Sequence, residues 1–165
     1  MKFFNILKTP LFAAVLAVAA PFASFAESPI VSSMEAFIVD QDAEGNEVLR
    51  EADKALPNQV IEYRLNYANR SAQPINGLAV TGPIPESTVY IADTAATMAR
   101  TNFKVSIDDG ETWEDEPVLR LRKAQNGEMV QVVIPASEYT HVRWNAASPL
   151  LAEAEQQYRY RVKIQ

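Results

Sequence analysis

The chain has 165 residues, a net charge of −6, no cysteine and one histidine. At about 100–200 residues per domain this is one domain, and a hydrophobic content of 48% argues against disorder. The missing cysteines exclude a disulfide scaffold, a thiolate zinc site, a Cys nucleophile and a lipidated Cys, while the acidic balance excludes non-specific nucleic-acid binding, which needs clustered Lys and Arg.

The first element is a leader. Lys2 and Lys8 supply a positive start, and Leu11–Phe25 is almost wholly apolar. That run is about 15 residues, short of the roughly 20 needed to span a bilayer. Ser24 and Ala26 put small residues at the positions a signal peptidase reads, so residues 1–26 are expected to be a cleavable signal peptide. Removing 26 residues takes two lysines and no acids, so 139 residues remain with net charge −8. Residues 27–165 are expected to form a single exported domain with no membrane span, periplasmic or extracellular.

After the leader the pattern is that of strands. Period-two alternation is clearest at Val60–Tyr67, where Ile61, Tyr63, Leu65 and Tyr67 share one face and Glu62, Arg64 and Asn66 the other. It recurs at the end, where Tyr158, Tyr160, Val162 and Ile164 alternate with Arg159, Arg161 and Lys163. Shorter strands are expected at 31–39, 47–50, 75–81, 103–107, 118–122, 129–134 and 140–144. Turn residues fall between them, and Asn126-Gly127 is a hairpin signal because such a turn needs positive φ at both central residues. Pro83 and Pro85 cannot sit in a central strand. Only 92–100 and 149–157 could hold a short helical turn.

Roughly seven to nine short antiparallel strands with regular turns suggest a β-sandwich of two facing sheets. The expected core is Phe37, Val39, Ile61, Tyr63, Leu65, Tyr67, Leu78, Val80, Val105, Ile107, Leu119, Leu121, Val132, Ile134, Val142, Trp144, Tyr160 and Val162.

Four constellations carry chemistry. Asp40-x-Asp42-x-Glu44-Gly45-x₅-Glu51 follows the spacing of a helix-flanked calcium loop, with oxygen ligands at positions 1, 3, 5 and 12 and Gly at 6. Its flanks read as strands, so a solvated acidic hairpin is the competing reading. Ser106-Ile107-Asp108-Asp109-Gly110-Glu111-Thr112-Trp113 matches the Asp-box pattern S-x-D-x-G-x-T-W. It reads as a hairpin staple or as part of a glycan-handling propeller, but a propeller needs about four or more blades and the motif occurs once. Arg159, Arg161 and Lys163 share one strand face, and Arg120 and Arg122 another. If those strands are neighbours they make one basic contact stripe; otherwise they cross-pair with Glu62 and other acids. His141, with no second His and no Cys in the chain, can join neither a zinc site nor a Cys–His pair. A Ser-His-Asp set is formally open, but no G-x-S-x-G elbow accompanies it.

The stretch Ala55–Asn69, with its Pro57 turn, alternating aromatic strand and Tyr67-Ala68-Asn69 ending, resembles the opening of the bacterial domain of unknown function eleven. Leu78–Thr88 resembles that family's second strand and its D-P-L-P-x-G-T segment, with Gly82 where Asp is usual and Ser87 where Gly is usual. The resemblance covers roughly 45–165. It implies an immunoglobulin-like sandwich and a stalk, adhesive or envelope role without catalytic residues. The expected function is therefore a non-catalytic envelope interaction module, without cofactor, whose partner is another envelope or surface protein. The alternatives are a calcium- or glycan-binding module using the Asp40–Glu51 or Asp108–Trp113 loops and, behind it, a hydrolase.

Overall fold

The computed structural model describes residues 28–125 and 127–165. The expected leader and Asn126 lie outside the described residues. The chain is all-β, with eleven strands among the described residues. The largest sheet takes β1 (Ile30–Gln41), β2 (Glu47–Glu51), β3 (Val60–Asn69), β5 (Thr88–Tyr90) and β11 (Glu155–Ile164) in the order β2-β1-β3-β11-β5. The two-residue β6 (Ala96–Thr97) adds to β11. A second sheet has the order β4-β10-β7, from β4 (Ala79–Pro83), β10 (His141–Ala146) and β7 (Thr101–Ser106). The hairpin β8 (Leu119–Lys123) and β9 (Met129–Val133) forms a two-stranded sheet of its own. Every pairing is antiparallel.

All nine expected strands have a counterpart. The one at 75–81 moves to Ala79–Pro83, because Gly77 breaks the run with φ 68 and leaves Ile75 in a lone bridge to Leu150. β5 and β6 are too short to show a period. The windows 92–100 and 149–157 hold no helix; the single helical turn among the described residues is a 3-10 turn at Ala136–Glu138. Pro83 ends β4, an edge strand, where its missing N–H is not needed.

The inner faces of the two larger sheets meet through aromatic rings. Trp144 of β10 lies with its centroid 5.5 Å from Tyr158 and 6.1 Å from Tyr160 of β11. Phe103 of β7 sits 5.5 Å from Trp144, and Tyr63 stacks 5.3 Å from Tyr160. The Tyr160 hydroxyl donates to the Pro83 carbonyl oxygen at 2.5 Å. That bond draws β4 so close that a Cβ on Gly82 would stand 2.5 Å from the Tyr160 ring. The backbone there approaches the opposite sheet where only glycine fits.

Five expected core residues are displaced, Val132 of β9 among them as a partly buried side chain outside the core. In β1 the buried residue is Ile38, paired with buried Ile61, whereas Phe37 and Val39 are half-buried. Ala36-Phe37-Ile38-Val39 is apolar throughout, so its own pattern carries no phase; pairing with β3 chooses the face. Leu119 and Leu121 are 41% and 67% exposed, because no other strand of the described residues pairs with their hairpin. Tyr90, Val118, Tyr139, Leu150 and Tyr158 join the core instead. Val142 and Trp144 point inward and His141 and Arg143 outward, as the alternation requires.

Candidate interaction surface

The Asp-box segment forms the tight turn after β7. Asp109 and Gly110 take positive φ of 57° and 87°, which reverses the chain. Asp108 accepts from the Thr112 N–H at 2.9 Å, the Thr112 hydroxyl at 2.5 Å and the Ser106 hydroxyl at 2.7 Å. These bonds favour the carboxylate, with Thr112 the main cause, and hold the Asp108 pKa down at about 2. Glu114 then bridges back to Val105. Trp113 is laid over Arg143, whose guanidinium carbon is 4.4 Å from the ring centroid. Arg143 Nε is buried with no hydrogen-bond partner among the described residues, and the ring face is a favourable contact for its charge. The aromatic is thus employed within the hairpin.

Ser106 and His141 stand opposite each other in the β7–β10 ladder. Ser106 is 1% exposed, and its hydroxyl accepts from the N–H groups of Asp108 and Gly110. The His141 ring meets Thr140 Oγ1 at 3.2 Å and the edge of Trp113. Asp108 bonds Ser106 and Thr112, with no hydrogen bond to His141 among the described residues. The two bonds of a Ser-His-Asp relay, Ser to His and His to Asp, are both missing among the described residues.

The acidic segment 40–51 is a β-hairpin. Asp40 lies at the end of β1 and binds Arg50 at 2.7 Å, which lowers its pKa. Asp42 accepts from the Asn46 side chain and from the N–H groups of Glu44 and Asn46, and these bonds lower its pKa. Glu51 lies in β2 opposite Phe37. No three His, Asp or Glu side chains among the described residues gather as a metal-holding group. Asp40, Asp42, Glu44 and Glu51 therefore do not converge: strand pairing takes Asp40 and Glu51 out of the loop that helices would have closed.

The basic residues divide. Arg159, Arg161 and Lys163 lie on β11, which pairs with β3, β5 and β6. Arg120 and Arg122 lie on β8, which among the described residues pairs with β9 alone. They are not on neighbouring strands, so the single stripe is not formed by strand pairing. On the large sheet the arginines enclose Glu62, which is 0% exposed. Arg64 Nε and Arg161 Nε each donate to it at 2.8 Å. Arg161 also grips both oxygens of Glu47 at 2.9 Å. Phe37 lies under Arg64 at 5.1 Å. Burial pushes the Glu62 pKa up, but the bonds from Arg64 and Arg161 outweigh it and the net shift is downward. Sequence alternation placed Glu62 on the polar face; its burial depends on strand pairing, which brings Arg161 of β11 opposite it and Phe37 of β1 to its other side.

Arg120 pairs with Glu114, while Arg122 and Lys123 are exposed and belong to no ion pair among the described residues. Beside them the hairpin exposes Leu119, Leu121, Met129 and Val133, from 41% to 67%. Register puts Leu119 opposite Val133, Leu121 opposite Gln131 and Lys123 opposite Met129, so these share one face. No other strand of the described residues pairs with either edge. Alternation alone reads Leu119 and Leu121 as core; only their missing cover identifies them as surface.

Comparison of the chain with family models, curated proteins and solved structures finds no match. No helix among the described residues is long and apolar enough to cross a membrane.

Proposed function

We propose that the chain is a non-catalytic interaction module of a bacterial envelope, an immunoglobulin-like sandwich exported to the periplasm or the cell surface. The β8–β9 hairpin carries this reading: it holds two unpaired strand edges and an exposed apolar face apart from the larger sheets. An unpaired edge binds an extended segment through main-chain hydrogen bonds, and neighbouring side chains set the choice. Arg122 and Lys123 on β8, exposed and outside any ion pair among the described residues, fit an acidic strand of another envelope protein. The aromatic contact between the two larger sheets and the resemblance over 45–165 support the sandwich assignment. The apolar run before Ser24-Phe25-Ala26 supports export.

A photo-crosslinking residue at position 122, in cells that carry the chain, tests the contact. The expected result is an adduct with a foreign envelope protein, weakened when Lys123 is changed to Glu. Uniform absence of adducts from 122, with the chain recovered intact outside the cytoplasm, overturns it.

A further inference from the structure

We propose that the free edge of β9 is the seat of a two-fold dimer with a second copy of this chain. The dimer concerns the same hairpin and rests on the reading that its edges are contact surfaces.

The hydrogen-bond phase of the hairpin shows which groups point outward. The Ala124 N–H donates to Glu128 O, and the Ile134 N–H to Val118 O. These facing pairs bracket the ladder Leu119↔Val133 to Lys123↔Met129. Hydrogen-bonded and non-bonded pairs alternate in an antiparallel ladder. Arg120–Val132 and Arg122–Val130 are therefore the bonded pairs. Met129, Gln131 and Val133 turn their N–H and C=O groups out to the free edge.

The occupant follows from charge and symmetry. β9 reads Met-Val-Gln-Val-Val, with no charge and no proline to discourage pairing. Its pattern is symmetric about Gln131. An antiparallel copy on a two-fold axis at Gln131 sets Met129 against Val133, Val130 against Val132 and Gln131 against its own equivalent. Those odd-numbered positions are the ones with outward backbone groups, so donors meet acceptors on both strands. The exposed apolar faces of the two hairpins then join into one strip, and the cations of β8 fall to its outer rims. Self-pairing through β8 about Leu121 would instead set Arg120 of each copy opposite Arg122 of the other. A C₂ contact must be self-complementary, and of the two edges β9 is the one that is.

Sedimentation equilibrium of the purified protein tests this. The expected result is a concentration-dependent dimer. Gln131→Lys and Gln131→Glu should each raise the dimer Kd at least about tenfold, a change of ~1.4 kcal/mol. Mixing the two variants one to one should restore a dimer, since opposite charges then meet at the axis. Gln131→Pro should also weaken the dimer, because it removes an outward N–H that the hairpin's own ladder does not use. A wild type monomeric to about millimolar concentration overturns the proposal. So does a Gln131→Lys variant that dimerises as tightly as wild type, or a monomer that binds vesicles of anionic phospholipid through this face. A monomer that still yields foreign adducts from position 122 removes the dimer alone; a dimer without such adducts removes the foreign partner alone.

Discussion

The contact between the two larger sheets and the β8–β9 hairpin are written in the same alternating code and end in opposite environments. Tyr158, Tyr160 and Val162 alternate with charged residues and are 0% exposed. Leu119 and Leu121 alternate with arginines in the same way and stay open to solvent. The difference is not in the strand. β11 has β3 on one side, β5 and β6 on the other, and Trp144 of β10 across its inner face. β8 has only β9. An apolar face is a demand for cover, and what meets that demand is decided by other parts of the chain or by another molecule.

That contrast can be broken at its strong end first. Trp144→Ala removes the ring that contacts Phe103, Tyr158 and Tyr160, and should lower unfolding stability by about 3–5 kcal/mol in urea titrations. A loss similar to that of an exposed site would mean that the two sheets are not held by this contact. Glu62→Gln comes next. It leaves Arg64 and Arg161 beside a neutral amide at a fully buried site, and should cost about 2–3 kcal/mol. Gly82→Ala pushes a methyl group into the ring of Tyr160, at a cost of about 1–3 kcal/mol. Thermal unfolding unchanged by Gly82→Ala would contradict the close approach of β4.

Acid acts on the turn after β7 and on the ion pairs of the large sheet. The Asp108 pKa is lowered to about 2, and those of Glu62, Glu47 and Glu114 are lowered as well. A group with a lowered folded pKa contributes stability above its unfolded pKa and loses it as pH falls through the folded value. Stability should therefore hold above about pH 4.5 and decline toward pH 2. Glu116, raised by burial and then by Asp93, acts in the opposite sense: it contributes below about pH 4.5 and less as pH rises. Asp108→Asn should flatten the decline between pH 4 and 2 in a pH series of thermal melts; an unchanged slope would show that the turn does not hold its carboxylate. The smallest effect belongs to the hairpin. Leu121→Ala, measured in dilute solution, should change stability by less than about 0.5 kcal/mol, since the side chain already faces water.

The reading of strands from the sequence succeeded where alternation is long. Val60–Tyr67 and Tyr158–Ile164 are central strands of the large sheet, and their inner residues are those of the pattern. It failed where the pattern is too short or has no phase. β5 and β6 escape it, and the apolar run Ala36–Val39 left the choice between Phe37 and Ile38 to its partner strand. The candidate sites divide along the same line. The Asp-box turn is local, made by residues within a few positions of each other, and its staple role was legible from S-x-D-x-G-x-T-W. The calcium spacing was legible too, but its residues serve a hairpin, because the strands on either side separate Asp40 from Glu51. The basic stripe depended on which strands are neighbours, a non-local property.

By itself the sequence determined the all-β class, the position of most strands and the inward or outward sense of the long ones, because side-chain alternation is a property of each strand alone. It also carried the turn chemistry at Asp108–Gly110, since those hydrogen bonds close within a few residues. Only the tertiary structure decided which apolar faces are covered, that Glu62 is sealed among arginines, that position 82 must be glycine, and that the outer edges of the β8–β9 hairpin meet no other strand of the described residues. Each of these depends on what lies across a sheet or beyond an edge, and pairing between distant segments is what supplies that neighbour.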